Sequence, residues 1–272
     1  MSEDQIQTVE DMVLHTVEDK LAYITFNRPK KLNAMDTNCL KRIVDLLEKA
    51  DKDPNVNVII FRAVGRAFTA GYFIDFKNQN VDVKKVTDDI LTYGTKISKG
   101  IYMSKKPVIS QVQGMSIGFG MILMFATDFR FVANDPKIYF YLPELNLGMK
   151  CQTGPIVGPV NVIGQAKAKE MLLGDKKVTI EEMDKWGGIT KICEPDKLDK
   201  EVKDFAMSLA NKHTNLSYIL KTAINIMNNR LVDDMYKLEV EMADYHGENM
   251  NNPNPDDIND FMKNMWEKYG KL

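Results

Sequence analysis

The stretch of the chain that most constrains its fold runs from Pro107 to Gly148. It begins with the apolar run 107–112, whose length and composition are typical of a buried strand. Glycines follow at 114, 118 and 120, and the segment 121–126 carries no charge. The pattern predicts a strand, a glycine turn and a helix that is buried on nearly all sides.

The glycine turn can be interpreted in two ways. Glycine occurs wherever backbones pack closely, so the turn can be a tight connection between a strand and a helix. Alternatively, the free N–H groups at the start of the helix form a site for an anion or an oxyanion. The spacing G-x-x-x-G-x-G differs from the dinucleotide-binding fingerprint and no P-loop lysine follows it, so nucleotide phosphate is not the expected ligand.

A second predicted strand ends in a similar turn. The apolar run 58–61 leads into the sequence GRAFTAG at 65–71, where Thr69 and Ala70 stand beside a glycine. Two strand ends that expose backbone N–H groups can converge on one oxygen atom. The second turn therefore favours the oxyanion interpretation.

Five motifs together resemble the crotonase superfamily, also called the enoyl-CoA hydratase/isomerase family, whose members bind acyl-CoA thioesters. In chain order these are LAYITFNRPKKLNA (21–34), GRAFTAG (65–71), QGMSIGFG (113–120), PELNLG (143–148) and GQAKAKEMLLGDKKVTIEEMDKWGGITKI (164–192). They follow the order and spacing of the family and cover almost the whole chain. The resemblance implies an α/β fold, a crotonase-like spiral of ββα units with a C-terminal helical region.

The resemblance also implies a division of the chain and an assembly. We expect residues 1–198 to form the core that binds acyl-CoA and carries out catalysis, and residues 199–272 to form a helical region for oligomerisation or for a lid. Members of the family usually assemble as trimers or hexamers, so a homo-oligomer is expected. No separate cofactor is expected, because the substrate itself carries coenzyme A.

Local patterns predict the elements along the chain. Strands are expected at 12–17 and 21–27, as a hairpin of edge character, and at 56–61. Alternation of strands and helices favours parallel pairing with crossover helices. Helices are predicted at 36–51, 86–101, 160–173, 180–186 and 258–269, with the first of them capped by Asp36. The chain from about Lys200 is predicted to be mostly amphipathic helix.

Composition excludes several classes of protein. The chain has 272 residues, 44% of them apolar, enough for one sizeable core, and its net charge of −2 gives no reason to expect nucleic acid or an anionic membrane as a partner. The three cysteines are far apart and odd in number, and are expected to be core residues of a reduced protein. The acidic N-terminus lacks the pattern of a signal or transit peptide, and the apolar stretch 115–127 is too short to span a bilayer. We therefore expect a cytoplasmic protein.

The expected chemistry follows from the thioester. Removing a proton beside a thioester carbonyl places negative charge on its oxygen, which requires hydrogen-bond donors aimed at that atom. The resemblance implies that these donors are the backbone N–H groups of Tyr72 and Phe119. Glu144 matches the second catalytic glutamate of the family, and its apolar neighbours are expected to raise its pKa towards neutrality, which suits a group that takes and returns a proton.

The resemblance also implies the contacts to coenzyme A. The family uses main-chain groups around the first turn, with a basic side chain near the adenine and phosphates. Lys31 matches that basic position, and Lys263 or Lys268 of a neighbouring subunit could neutralise phosphate. The candidate main-chain positions are Ala34, Ala70, Gly71, Phe73, Ile74, Asp75, Gly118 and Gly120.

Departures from the family pattern bear on the reaction. Hydratases of the family have a second glutamate where this chain has Ile122, and water addition needs two carboxylates, whereas moving one proton between the α and γ carbons needs one base. Phe73 replaces a common aspartate and Phe119 a glycine, so the acyl pocket is reshaped. Gln152 stands where some peroxisomal-type isomerases place their single glutamate.

These departures favour an enoyl-CoA isomerase, with other functions open. The first alternative is an enoyl-CoA hydratase that adds water to a 2-enoyl-CoA. The second, from another class, is an acyl-CoA-binding or scaffold protein without turnover. A third is a decarboxylase or hydrolase that acts on a branched or cyclic acyl-CoA.

Overall fold

The computed structural model describes residues 8–73, 82–148 and 153–249, together with positions 260, 263, 264 and 267. The ten strands of the described part are β1 (Val13–Glu18), β2 (Leu21–Phe26), β3 (Val58–Ala63), β4 (Ala67–Thr69), β5 (Val108–Val112), β6 (Met115–Ile117), β7 (Phe129–Ala133), β8 (Tyr139–Tyr141), β9 (Val178–Thr179) and β10 (Lys191–Cys193). Its α-helices are α1 (Val9–Met12), α2 (Thr37–Lys52), α3 (Val83–Met103), α4 (Phe119–Ala126), α5 (Val157–Leu172), α6 (Ile180–Lys185), α7 (Leu198–Ala210) and α8 (Thr214–Asn249). A short 3₁₀ helix covers Pro29–Lys31.

The strands form two sheets. The first has the order β1-β2-β3-β5-β7-β10 and the second the order β4-β6-β8-β9. All neighbours are parallel except β1 with β2 and β8 with β9. Three successive units of two strands and one helix therefore run β3-β4-α3, β5-β6-α4 and β7-β8-α5, and each unit places one strand in each sheet. The spiral of ββα units implied by the family resemblance is confirmed.

The core lies around the middle strands of the first sheet. Every residue of β2 and β5 is buried, as are the first four of β3. Parallel strands that are covered on both faces have continuous apolar runs of this kind. The helices α2 and α7 contribute buried aliphatic side chains to the same core, and the cysteines Cys39 and Cys193 are buried in it as free thiols.

The predicted edge hairpin is half correct. β1 is an edge strand and joins β2 through Asp19 and Lys20, which both have positive φ, as a two-residue hairpin turn requires. β2 is an interior strand because β3 pairs with its other side. Edge character therefore holds for β1 only, and the pairing of β2 with β3 confirms the parallel pairing with a crossover helix that the alternation of strands and helices predicted.

Helix starts follow the sequence closely. Asp36 caps α2 as predicted, with its carboxylate accepting the backbone N–H of Cys39 at 3.0 Å. α7 starts at Leu198, and α8 continues the predicted C-terminal helical region over 36 residues. The predicted helix 258–269 lies largely outside the described residues. No helix in the described part of the chain is long and apolar enough to cross a membrane.

Candidate active site

The candidate site lies at the carboxyl edge of the second sheet. Three aligned strands of this sheet, β4, β6 and β8, place Thr69 beside Ser116 and Ser116 beside Phe140. Tyr72, Phe119 and Glu144 follow these three positions by three or four residues. Because the strands are parallel and adjacent, the three candidate catalytic residues leave the sheet at one edge. The structure therefore brings together residues that are 72 positions apart in the chain.

The first turn, 70–73, packs directly against the second. Gly71 has φ +89°, and a Cβ added to it would lie 3.0 Å from the carbonyl oxygen of Ile117 and 3.2 Å from the nitrogen of Phe119. The turn is held in place by Met35, which donates its N–H to the Gly71 carbonyl (2.9 Å) and accepts the N–H of Phe73 (2.8 Å). A glycine is thus required at 71 by both conformation and space.

The second turn is equally constrained. Gly118 precedes α4 with φ +52° and donates its N–H to the carbonyl of Tyr141 at 2.9 Å. A Cβ on Gly120 would lie 2.7 Å from the carbonyl oxygen of Thr69. The close-packing interpretation and the oxyanion interpretation of these glycines are therefore compatible, because the close packing is what brings the two turns together.

Two backbone donors at this junction are available. Among the described residues, no hydrogen-bond acceptor is found for the N–H of Tyr72 or of Phe119. Phe119 is the first residue of α4, where N–H groups have no partner within the helix and carry partial positive charge. The rings of the two residues stack with their centroids 4.7 Å apart and an interplanar angle of 22°. This stacking fixes the two donor residues relative to each other.

Glu144 faces this junction. Its Oε1 lies 3.5 Å from the position that a Cβ would take on Gly118. Its Oε2 is buried and has no hydrogen-bond partner within the described part of the chain. Burial raises the pKa of Glu144 from 4.5 to about 7, although a hydrogen bond from its own backbone partly opposes the shift. The carboxyl group can therefore exist in both protonation states near neutral pH.

The position of the second hydratase carboxylate is apolar. Ile122 lies one turn into α4, where its N–H donates to the Gly118 carbonyl, and its side chain is 2% exposed. Phe73, in the first turn, is half-buried, with the guanidinium carbon of Arg28 5.9 Å from its ring centroid. A buried aliphatic side chain cannot orient water by hydrogen bonds.

The candidate residues for coenzyme A are partly engaged. Lys31 is exposed at the end of the 3₁₀ helix. The carbonyl of Ala34 accepts the guanidinium of Arg28 (2.8 Å). The N–H of Ala70 donates to the Leu32 carbonyl (2.9 Å), and no donor to the Ala70 carbonyl is found among the described residues. Ile74, Asp75, Gln152 and Lys268 lie outside the described residues, and Lys263 is a helical, exposed position.

Two residues at the border of the site, Thr153 and Glu239, were not among those predicted from the sequence. The hydroxyl groups of Tyr72 and Thr153 lie 2.9 Å apart, within hydrogen-bond distance. Glu239, far along the chain on α8, accepts backbone N–H groups of the segment just after Thr153. The sequence contains no signal for Glu239, because a glutamate within a long amphipathic helix is typical of a solvated face.

No metal-binding constellation accompanies this site. Within 8–73, 82–148 and 153–249 there is no group of three or more His, Cys, Asp or Glu side chains that could hold a metal ion.

Known proteins agree with this architecture. The family model described as enoyl-CoA hydratase/isomerase matches residues 16–252. A crotonyl-CoA hydratase of Syntrophomonas wolfei is 31% identical over 76% of this chain and 79% of its own length. A 1,2-epoxyphenylacetyl-CoA isomerase of Escherichia coli is 25% identical over 84% of this chain and 87% of its own. A solved enoyl-CoA hydratase structure from Bacillus halodurans, 20% identical, has a TM-score of 0.78 and covers 86% of this chain and 94% of that one, which shows the shared fold. This chain therefore belongs to the enoyl-CoA hydratase/isomerase family, the crotonase superfamily.

Proposed function

We propose that this acyl-CoA enzyme is an enoyl-CoA isomerase that moves a carbon–carbon double bond by proton transfer through Glu144. The observation that carries the proposal is one buried carboxyl group, with a pKa of about 7, beside two available backbone donors. The apolar Ile122 replaces the second carboxylate that hydration requires. The substrate brings its own coenzyme A, so the reaction requires no further cofactor.

The reaction can be written with these groups alone. The thioester oxygen of a 3-enoyl-CoA accepts hydrogen bonds from the N–H groups of Tyr72 and Phe119. The Glu144 carboxylate removes a proton from the α carbon, and the electron pair moves into the thioester to form a dienolate. The protonated Glu144 then returns the proton to the γ carbon, and the double bond ends between the α and β carbons. One proton moves and nothing is consumed.

The two donors stabilise the charge that develops on the thioester oxygen. Loss of one such donor typically lowers kcat by about 100- to 1,000-fold. The donors are backbone groups, so their identity does not depend on the side chains at 72 and 119. What depends on the side chains is their position, because the stacked rings hold the two turns together.

The pKa of Glu144 suits a group that acts as base and then as acid. A general base works best when its pKa is near the working pH, since it is then often ionised and still basic enough to remove a proton. With a pKa of about 7, close to half of the Glu144 carboxyl groups are ionised at neutral pH. An exposed glutamate would be ionised but much less basic.

A hydratase is the second candidate. It is favoured by the crotonyl-CoA hydratase of Syntrophomonas wolfei, at 31% identity, whereas the Escherichia coli relative is an isomerase. Hydration here would require another group to orient water in place of Ile122. Among the described residues, no side chain hydrogen-bonds to Oε2 of Glu144, so no replacement for the missing carboxylate is identified by such a contact.

The test compares two substrates with two variants. Purified protein is incubated with a 3-enoyl-CoA and, separately, with a 2-enoyl-CoA, and the conjugated thioester is followed by absorbance with products identified by mass. We expect conjugation of the 3-enoyl compound and no added water in the 2-enoyl compound. Glu144→Gln should lose turnover by at least roughly 100-fold while retaining coenzyme A binding. Glu48→Gln, at an exposed position on α2, is the matched control and should leave turnover unchanged.

The outcomes separate the candidates. Water addition to the 2-enoyl-CoA by the native protein would refute the isomerase proposal in favour of the hydratase. Absence of turnover on both compounds with intact coenzyme A binding would favour a binding protein. The converse variant, Ile122→Glu, restores a second carboxylate and should add hydration of the 2-enoyl compound if the remaining geometry is that of the family.

A further inference from the structure

A buried carboxylate on the C-terminal helix holds the segment that borders the candidate site. Glu239 on α8 is 1% exposed. Its Oε2 accepts the N–H of Gly154 at 2.8 Å, and its Oε1 accepts those of Ile156 and Val157 at 2.9 and 3.1 Å. Three backbone N–H groups that donate to one carboxylate fix the segment 154–157 to α8.

These contacts are specific to a carboxylate. Val157 is the first residue of α5, so the carboxylate occupies the positive end of that helix. Position 155 is a proline, which has no N–H, and the other three N–H groups of 154–157 all reach Glu239. Both oxygens of a carboxylate accept hydrogen bonds, so together they can serve all three N–H donors. A glutamine at this position would instead point its NH₂ group, itself a donor, at one or more of these N–H groups. Removing such an acceptor leaves buried donors unsatisfied.

The segment held by Glu239 is joined to the first turn, 70–73, through one side-chain contact. Thr153, directly before Gly154, is 2% exposed, and its Oγ1 lies 2.9 Å from the hydroxyl oxygen of Tyr72. Gly94 of α3 makes room for this pair, since a Cβ there would lie 2.3 Å from the Tyr72 hydroxyl and 2.8 Å from a Thr153 methyl group. The ring of Tyr72 stacks on that of Phe119, so both donor residues are at the end of this chain of contacts.

A second residue of α8 supports the same segment. Tyr236, one turn before Glu239, is 6% exposed, and its hydroxyl oxygen lies 3.0 Å from the position of a Cβ on Gly154. Tyr236 also packs with Val157. One face of α8 therefore contacts 154–157 both by hydrogen bonds and by packing, so its side-chain contacts reach the candidate site.

We propose that Glu239 is a positioning residue that fixes Tyr72, and with it the two backbone donors, by holding the segment 153–157. This rests on the proposed function only in that the N–H groups of Tyr72 and Phe119 bind the thioester oxygen; it holds equally for isomerisation and hydration. Misplacement of such donors by a fraction of an ångström lowers the rate of the chemical step more than the affinity for the substrate.

The first test compares Glu239→Gln with Asp244→Asn. Both changes replace a carboxylate by an amide on α8, but Asp244 is exposed. We expect Glu239→Gln to lower kcat by at least roughly 10-fold with KM changed by less than about 3-fold, and Asp244→Asn to change neither. Hydrogen exchange of the peptide that contains 153–157 should quicken in Glu239→Gln alone. A kcat within about 2-fold of the native value would overturn the proposal.

The second test is a double-mutant cycle with Tyr72→Phe, which keeps the ring and the backbone N–H but removes the contact with Thr153. If Glu239 acts through this contact, Glu239→Gln should lower kcat much less in the Tyr72→Phe protein than in the native one. Equal effects in both backgrounds would overturn the proposal. If Glu239→Gln does not fold, Thr153→Val breaks the same link, and a native-like kcat in Thr153→Val would overturn it too.

A readout without turnover separates this inference from the proposed function. A 3-oxoacyl-CoA can bind as its enolate, which carries the charge of the intermediate and absorbs in the near ultraviolet. If native protein converts neither enoyl-CoA but binds this enolate, the isomerase proposal fails while the positioning role remains testable. Glu239→Gln should then weaken enolate binding by at least roughly 10-fold and leave free coenzyme A binding unchanged. Equal enolate binding in both proteins would refute the positioning role.

Discussion

Replacing Glu144 by glutamine should make the protein more stable, and the gain should depend on pH. Burial raises the pKa of this carboxyl group from 4.5 to about 7 in the folded protein. The folded state therefore binds a proton more tightly than the unfolded state, and ionisation of Glu144 opposes folding. Stability is lost as pH rises from the unfolded to the folded pKa, and the full penalty is present above about pH 7.

The size of the effect follows from the shift in pKa. One pKa unit corresponds to about 1.4 kcal/mol, so the full penalty is about 3 kcal/mol. Little of it is present near pH 5, which leaves a difference of about 2 to 3 kcal/mol between pH 5 and pH 8.5. For a chain of this length, that corresponds to roughly 5 to 10 °C in Tm. Glutamine cannot ionise, so Glu144→Gln escapes the penalty.

The assay is thermal unfolding of native protein and Glu144→Gln, each at about pH 5 and pH 8.5. The quantity of interest is the difference in Tm between the two proteins, which should grow by roughly 5 to 10 °C towards the higher pH. The buried Glu239, whose pKa is also raised to about 7 by burial, titrates in both proteins and cancels. Any pH-independent cost of burying an amide cancels in the same way. Glu48→Gln, with its exposed side chain, should show no such trend. A Tm difference that is equal at both pH values would show that ionisation of Glu144 does not oppose folding.

Three further predictions concern the ionisation of Glu144, the glycine at 71 and the buried amide of Asn33. Because Glu144 must be ionised to remove a proton, log kcat/KM for the 3-enoyl-CoA should rise with pH and level off above about 7, and an alkaline decline through that region would contradict its role as base. Gly71→Ala should lower kcat by at least roughly 100-fold, since its Cβ would press on the Ile117 carbonyl, whereas Gly187→Ala, at a similar positive φ with open space around it, should retain turnover. Asn33→Ala should lower the free energy of unfolding by about 2 to 4 kcal/mol in denaturant titration, because the buried amide donates to two carbonyls and accepts one N–H; a loss below about 0.5 kcal/mol would contradict that account.

Much of the fold could be predicted from local patterns. The cap at Asp36, the buried run before Gly114 and the uncharged segment after Gly120 each predicted an element that the structure contains. Such signals are visible because a helix cap or a buried strand depends on residues that are close in sequence. The interior place of β2 has no local signal of this kind, because it depends on pairing with a strand more than 30 residues away; only the alternation of strand, helix and strand indicated that pairing.

The candidate site also has features that are visible in the local sequence and features that depend on distant residues. Glycines that must have positive φ can be recognised as turns, and the family resemblance indicates which turns matter. Which carboxylates lie near them depends on packing over long distances. Gln152 and Cys151 lie outside the described residues. Three predictions stay predictions: the division of the chain at 198, the assembly as a trimer or hexamer, and the cytoplasmic location.

Motifs of a few neighbouring residues were enough to indicate the family and the two glycine turns, and they single out Glu144 and Ile122 as the positions that bear on the reaction. The packing of distant elements brings Gly71 against the nitrogen of Phe119 and buries Oε2 of Glu144 without a partner among the described residues, and neither is visible in the sequence. The same packing makes Glu239 an acceptor for a distant backbone segment rather than a surface charge. Burial and desolvation arise from the packing of elements far apart in the chain, and they set both the approach of the two glycine turns and the pKa of Glu144.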